Sequence, residues 1–75
     1  MTSPDWYPRE FILPATDAEH EALRLAQRVL RVEATGKLDP STMSALRGIQ
    51  KMMGLVPTGF LDTATANMID KMRWS

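Results

Sequence analysis

The fold is decided by a segment that occurs twice, as TGKLDPST at residues 35–42 and as TGFLDTAT at residues 58–65. The copies begin 23 residues apart and share their Thr, Gly, Leu, Asp and final Thr. Glycine permits a positive φ in a turn, leucine can enter a core, and aspartate is a preferred helix N-cap. Each copy therefore predicts a turn that starts a helix. The residues that we assign to these fold-holding turns and caps are Gly36, Leu38, Asp39, Thr42, Gly59, Leu61, Asp62 and Thr65.

Helix signals extend outward from both copies. Thr16 and Glu19 are spaced as a capping box, which starts a first helix that we expect to end near residues 32–33. A second helix begins at residues 39–40, where proline follows the capping aspartate, and we expect Gly54 to end it in a left-handed conformation. A third helix is predicted from residue 62 to about residue 72. The predicted inner faces comprise Ala22, Leu23, Ala26, Val29 and Leu30; Met43, Leu46, Ile49, Gln50 and Met53; and Ala64, Met68, Ile69 and Met72. The fold class is thus all-α, a compact three-helix bundle with an extended N-terminal arm.

The first 15 residues differ in composition from the rest. Three prolines disfavour a helix there, yet the segment is rich in aromatic and aliphatic side chains. We therefore divide the chain into an extended arm, residues 1–15, and a three-helix domain, residues 16–75. The arm either folds back over its own core or docks on a partner, for which Trp and Tyr are favoured anchors. The predicted partner-binding residues are Trp6, Tyr7, Phe11 and Ile12, with Trp74 at the other end.

Length and charge restrict the classes of function. The 75 residues form one domain at most. Nine basic and nine acidic residues give a net charge of zero, so we expect no nucleic-acid partner, which usually requires a basic face. We also expect no membrane partner, because no apolar run approaches about 20 residues, and no signal peptide at the N-terminus. The absence of cysteine leaves the redox compartment open.

Few side chains are suited to catalysis. His20 is the only histidine, and a catalytic triad or zinc site needs more partners than one imidazole. Asp39 and Asp62 could form a carboxylate pair, but their identical positions before two helices favour capping. The remaining acidic residues show no metal-ligand spacing. We therefore predict no catalytic residues, no metal and no cofactor.

The spacing of many residues at once resembles a known family. The pattern is AQxxL at residues 26–30, GxLDxxTxxALxxxQxxxGL at residues 36–55 and TGxLDxxT at residues 58–65. It is similar to the peptidoglycan-binding domain family, and also to the helical prodomain of matrix metalloproteases, over roughly residues 18–72. The resemblance implies a three-helix fold in which Gln27 and Gln50 brace the loops through hydrogen bonds to backbone, with ligand contact as the alternative.

Several residues depart from the family pattern. The loop between residues 30 and 36 is shorter than usual, and Ile49 replaces a common phenylalanine. The inhibitory cysteine of the metalloprotease prodomain has no counterpart at residues 72–75, so we do not expect that role.

Two non-enzymatic functions follow. The favoured hypothesis is a structural accessory subunit of a bacteriophage particle (a cement, minor capsid or connector protein) that docks on a protein partner through its arm and is located in the virion. The alternative is a module that binds peptidoglycan in the bacterial cell wall and works alongside a separate hydrolase.

Overall fold

The computed structural model describes residues 3–73, which form three α-helices and no strand. Helix α1 spans Asp17–Leu30, α2 spans Pro40–Met52 and α3 spans Thr63–Arg73. The predicted all-α three-helix bundle is confirmed. Helix α1 ends two residues earlier than expected, and Trp74 lies outside the described residues.

The three helices begin in the same way, at intervals of 23 residues. Thr16, Asp39 and Asp62 each precede a helix, and the side-chain oxygen of each accepts from the backbone N–H three residues later. The donor–acceptor distances are 3.2, 2.9 and 2.8 Å, respectively. The capping box predicted for α1 is present in full. The start of α1 therefore shares the cap geometry and the spacing of the repeat, although residues 12–19 have none of the five residues that the two copies share at the equivalent positions.

The first two helices also end alike. After α2, Gly54 has a φ of 74°, and the N–H of Leu55 donates to the carbonyl of Gln50 at 2.8 Å. After α1, Arg31 has a φ of 62°, and the N–H of Val32 donates to the carbonyl of Gln27 at 3.0 Å. Both ends are Schellman motifs. Because an arginine occupies the left-handed position after α1, the sequence did not indicate where that helix ends.

The core follows the same 23-residue interval. Leu23, Leu46 and Ile69 are equivalent positions on the three helices, and each is almost completely buried. Two predicted inner-face residues are exposed, namely Met53 (43%) and Ala64. Five others are only partly buried: Val29, Leu30, Met43, Met68 and Met72. The complete buried apolar set is Tyr7, Ala22, Leu23, Ala26, Leu46, Ile49, Leu61, Ala66 and Ile69.

Candidate functional site

The turn between α1 and α2 is organised around the buried side chain of Gln27. Its Nε2 donates to the carbonyl of Lys37 at 2.9 Å and to Oγ1 of Thr42 at 2.8 Å, and lies 3.2 Å from Oγ1 of Thr35. Its Oε1 accepts from the N–H of Gly36 at 2.9 Å. One amide thus uses both its donor and acceptor groups to hold the turn against the helix.

Gln50 makes the same contacts in the second turn. Its Nε2 donates to the carbonyl of Phe60 and to Oγ1 of Thr65, both at 2.9 Å, and lies 3.2 Å from Oγ1 of Thr58. Its Oε1 accepts from the N–H of Gly59 at 2.9 Å. The expectation that both glutamines brace the loops is confirmed, and their burial leaves neither side chain exposed to a ligand.

The two turn glycines have the backbone conformation that the sequence predicted. Gly36 has a φ of 77° and Gly59 a φ of 80°, values that L-residues rarely adopt. An arginine from the preceding helix also lies over each glycine. A Cβ added to Gly36 would lie 3.0 Å from Nε of Arg24, and one added to Gly59 would lie 3.3 Å from Nε of Arg47.

The capping aspartates are used within the fold. Asp39 accepts from both the backbone N–H and the hydroxyl of Thr42, and from Oγ1 of Thr35. These hydrogen bonds, those from Thr42 first, lower the pKa of Asp39 below its ordinary value of 3.8. Asp62 receives the equivalent backbone N–H from Thr65 at 2.8 Å. The two carboxylates therefore serve two separate helix starts.

The N-terminal arm folds back onto α1 and α3. Tyr7 is only 3% exposed and its hydroxyl donates to the carbonyl of Leu61 at 2.5 Å. Trp6 donates from Nε1 to Asp70 at 2.8 Å, and Phe11 packs against the same core. Of the two arrangements that the sequence left open for the arm, the structure has the internal one. The side chain of Tyr7 is accordingly enclosed by its own domain.

Other residues assigned to a partner surface remain accessible. Ile12 is 62% exposed and its neighbour Leu13 66% exposed. Trp6 and Phe11 are half-buried. Partner binding through Trp6, Phe11 and Ile12 stays a prediction, and the same prediction for Trp74 falls outside the described residues.

Polar contacts fasten the arm as well. Glu19, buried at the first turn of α1, accepts from the N–H of Ala15 at 2.8 Å and that of Thr16 at 3.1 Å, and pairs with Arg9 at 3.0 Å. The hydrogen bond from Ala15, followed by that from Arg9, lowers the pKa of Glu19 from 4.5 to about 2. At α3, the carboxylate of Glu10 accepts from the N–H and hydroxyl of Thr63. The arm thus joins the first and last helices.

His20 has a structural contact that the sequence did not indicate. Its Nδ1 lies 2.6 Å from the carbonyl oxygen of Gly36, so the imidazole supports the first turn. The two residues are 16 positions apart in the chain, and only folding brings them together. Among residues 3–73, no three His, Asp or Glu side chains gather as metal ligands. None of the helices in that range is long and apolar enough to cross a membrane.

Three short helices and two glutamine-braced turns define a small all-α domain. The model of the peptidoglycan binding domain family matches residues 24–69, which include both turns. Because this match covers more than half of the chain, the protein belongs to the peptidoglycan binding domain family. No curated protein and no solved structure gives a significant match.

Proposed function

We propose that this protein is a non-enzymatic module that binds bacterial peptidoglycan and acts at the cell wall, without a nucleic-acid, membrane or cofactor partner. The observation that carries the proposal is the family match over residues 24–69. The matched segment contains both complete glutamine-braced turns and α2. The shortened loop after α1 does not disturb this framework, because Gln27 and Gln50 make the same set of hydrogen bonds.

The absence of an enzymatic role is part of the same proposal. The carboxylates of Asp39 and Asp62 are hydrogen-bonded to helix N-termini, and the imidazole of His20 is bonded to a turn carbonyl. These were the residues that could most readily have supplied acid–base chemistry. Their contacts within the fold argue against a catalytic role for these three side chains.

A structural subunit of a bacteriophage particle is the second candidate function. The support for it depends on how much of the arm is free to contact a partner. An arm free to dock outward was its main argument, and Tyr7 and Trp6 are instead bonded within the domain. What still favours a protein partner is the adjacent pair Ile12 and Leu13, both more than 60% exposed. The proposal of a virion location therefore requires that Ile12 and Leu13 contact a protein of the particle.

Sedimentation with purified, insoluble peptidoglycan tests the proposal. The full chain should sediment with the wall material, and so should the variant Ile12→Ser with Leu13→Ser, which keeps Tyr7 in the core. Truncation of the whole arm is a poor control, because it would remove a core side chain. If the full chain stays in the supernatant at low salt, the proposal that it binds peptidoglycan is wrong.

The same double variant tests the structural alternative. A docking function through the arm requires that Ile12→Ser with Leu13→Ser abolish co-purification with phage particles, while helicity by circular dichroism is unchanged. By contrast, Trp6→Ala with Phe11→Ala should reduce helicity, because both residues pack on the core.

A further inference from the structure

The internal repeat places two arginines in equivalent positions. Arg24 on α1 lies over Gly36, and Arg47 on α2 lies over Gly59, 23 residues further along the chain in both cases. Because glycine has no Cβ, the guanidinium can approach each turn closely. A buried glutamine holds the turn beneath each arginine.

Only the first of these arginines has an acidic partner. Arg24 forms an ion pair and hydrogen bond with Glu21, three residues earlier on α1. The equivalent residue on α2 is Ser44, which is exposed and cannot supply a charge. Arg47 is exposed, and its guanidinium makes no hydrogen bond or ion pair with any residue between 3 and 73.

From this difference we infer that Arg47, which lies over Gly59, is a binding site for a carboxylate from outside the chain. A guanidinium presents a planar set of N–H donors that matches carboxylate geometry. The Glu21–Arg24 pair shows how a carboxylate binds an arginine in this position, beside the equivalent first turn. The second turn has the cation and the support but lacks the acid.

The inference rests on the proposed function where it names the source of the carboxylate. Peptidoglycan carries short peptides with free carboxylate groups, and one of these is the ligand that we assign to Arg47. The sugar chains would then be bound elsewhere on the domain. Attraction between exposed charges is screened by salt, so this part of the binding should weaken as ionic strength rises.

A soluble probe tests the site without peptidoglycan. N-acetyl-D-alanyl-D-alanine should shift the NMR signals of the Arg47 Nε–H and the Gly59 amide saturably, whereas the same dipeptide with a C-terminal amide should not. Arg47→Gln should abolish the response of Gly59. Equal responses to the acid and the amide would overturn the inference.

Position 44 provides a sharper variant that keeps Arg47. Ser44→Glu recreates the acid–arginine spacing of α1 and should weaken binding of the probe by about two- to fivefold, because an intramolecular carboxylate competes for the guanidinium. Ser44→Gln introduces a side chain of the same size as glutamate but without charge, and this variant should bind the probe as the original chain does. If both variants bind alike, Arg47 is not the site.

Sedimentation with peptidoglycan then separates the two proposals. Arg47→Gln should lower affinity by about three- to tenfold, and Lys51→Gln, which removes another exposed cation of α2, should change it by less than about twofold. Sedimentation that is unaffected by Arg47→Gln would refute the role of Arg47 while the proposed function stands. A chain that fails to sediment but still binds the dipeptide acid through Arg47 would refute the proposed function and leave the carboxylate site intact.

Discussion

Substitution of Gln50 by methionine removes the group that holds the second turn while keeping a side chain of similar length. Gln50 is fully buried, and its amide satisfies the N–H of Gly59, the carbonyl of Phe60 and the hydroxyl of Thr65. Methionine can make none of these hydrogen bonds. The buried N–H of Gly59 and the carbonyl of Phe60 would lose their partner in the folded state, whereas water would satisfy both in the unfolded chain.

The loss should be large for a domain of this size. Leaving one buried polar group unsatisfied costs about 1–3 kcal/mol, so the two backbone groups together predict a loss of about 2–6 kcal/mol in the free energy of unfolding. A chain of 75 residues has a total stability of about 4–11 kcal/mol. Gln50→Met should therefore remove a large fraction of the stability. If the total stability of the original chain is near the lower end of its range, the variant would be largely unfolded at 25 °C.

Urea unfolding followed by far-ultraviolet circular dichroism measures this loss. Gln27→Met, at the equivalent position, should lose stability to within about 1 kcal/mol of Gln50→Met, because the two amides make the same contacts. Thr58→Val is the matched control. It removes the hydrogen bonds from Gln50 Nε2 and from the N–H of Phe60 at an exposed residue, where water can replace them, and should cost less than about 1 kcal/mol. A loss below about 1 kcal/mol for Gln50→Met would refute the conclusion that the glutamine network holds the turn.

Two further predictions concern pH. The pKa of Glu19 is about 2 in the folded protein and ordinarily 4.5, so its charged form stabilises the fold above about pH 4.5 and this contribution is lost as pH falls toward 2. Glu19→Gln should make the urea midpoint less dependent on pH between 5 and 2, leaving a residual slope from Asp39; an unchanged slope would contradict the contacts of Glu19. The pKa of Tyr7, raised by burial from 10.0 to about 12, predicts the opposite direction: its contribution is complete below pH 10 and is lost as pH rises through 12. Tyr7→Phe should flatten the alkaline part of the stability profile and cost about 1 kcal/mol at pH 7 through loss of the bond to Leu61, whereas a profile identical to that of the original chain would place Tyr7 in solvent.

Much of the fold could be predicted because its determinants are close together in the chain. A capping side chain such as Asp39 bonds to a backbone N–H three residues away, and a glycine such as Gly36 is needed at the turn itself. These short-range requirements repeat every 23 residues, so they indicate helix starts and helix number before any packing is known. The left-handed conformation of Arg31 has no such signal, because glycine adopts this conformation freely whereas arginine rarely does, so the residue type does not indicate it.

The sequence by itself thus determined that the chain is a three-helix scaffold with capped helices, and its residue pattern indicated the family. Only the tertiary structure decided which way the arm turns, since Tyr7 and Leu61 are 54 residues apart in the chain and become neighbours through packing. The tertiary structure also decided the candidate site. Arg24 and Arg47 precede their turn glycines by the same number of residues, so the spacing in the sequence does not distinguish the two arginines. That Arg47 lies over its turn without an acid within residues 3–73 is a property of the folded surface, because a salt bridge depends on which side chains packing brings together.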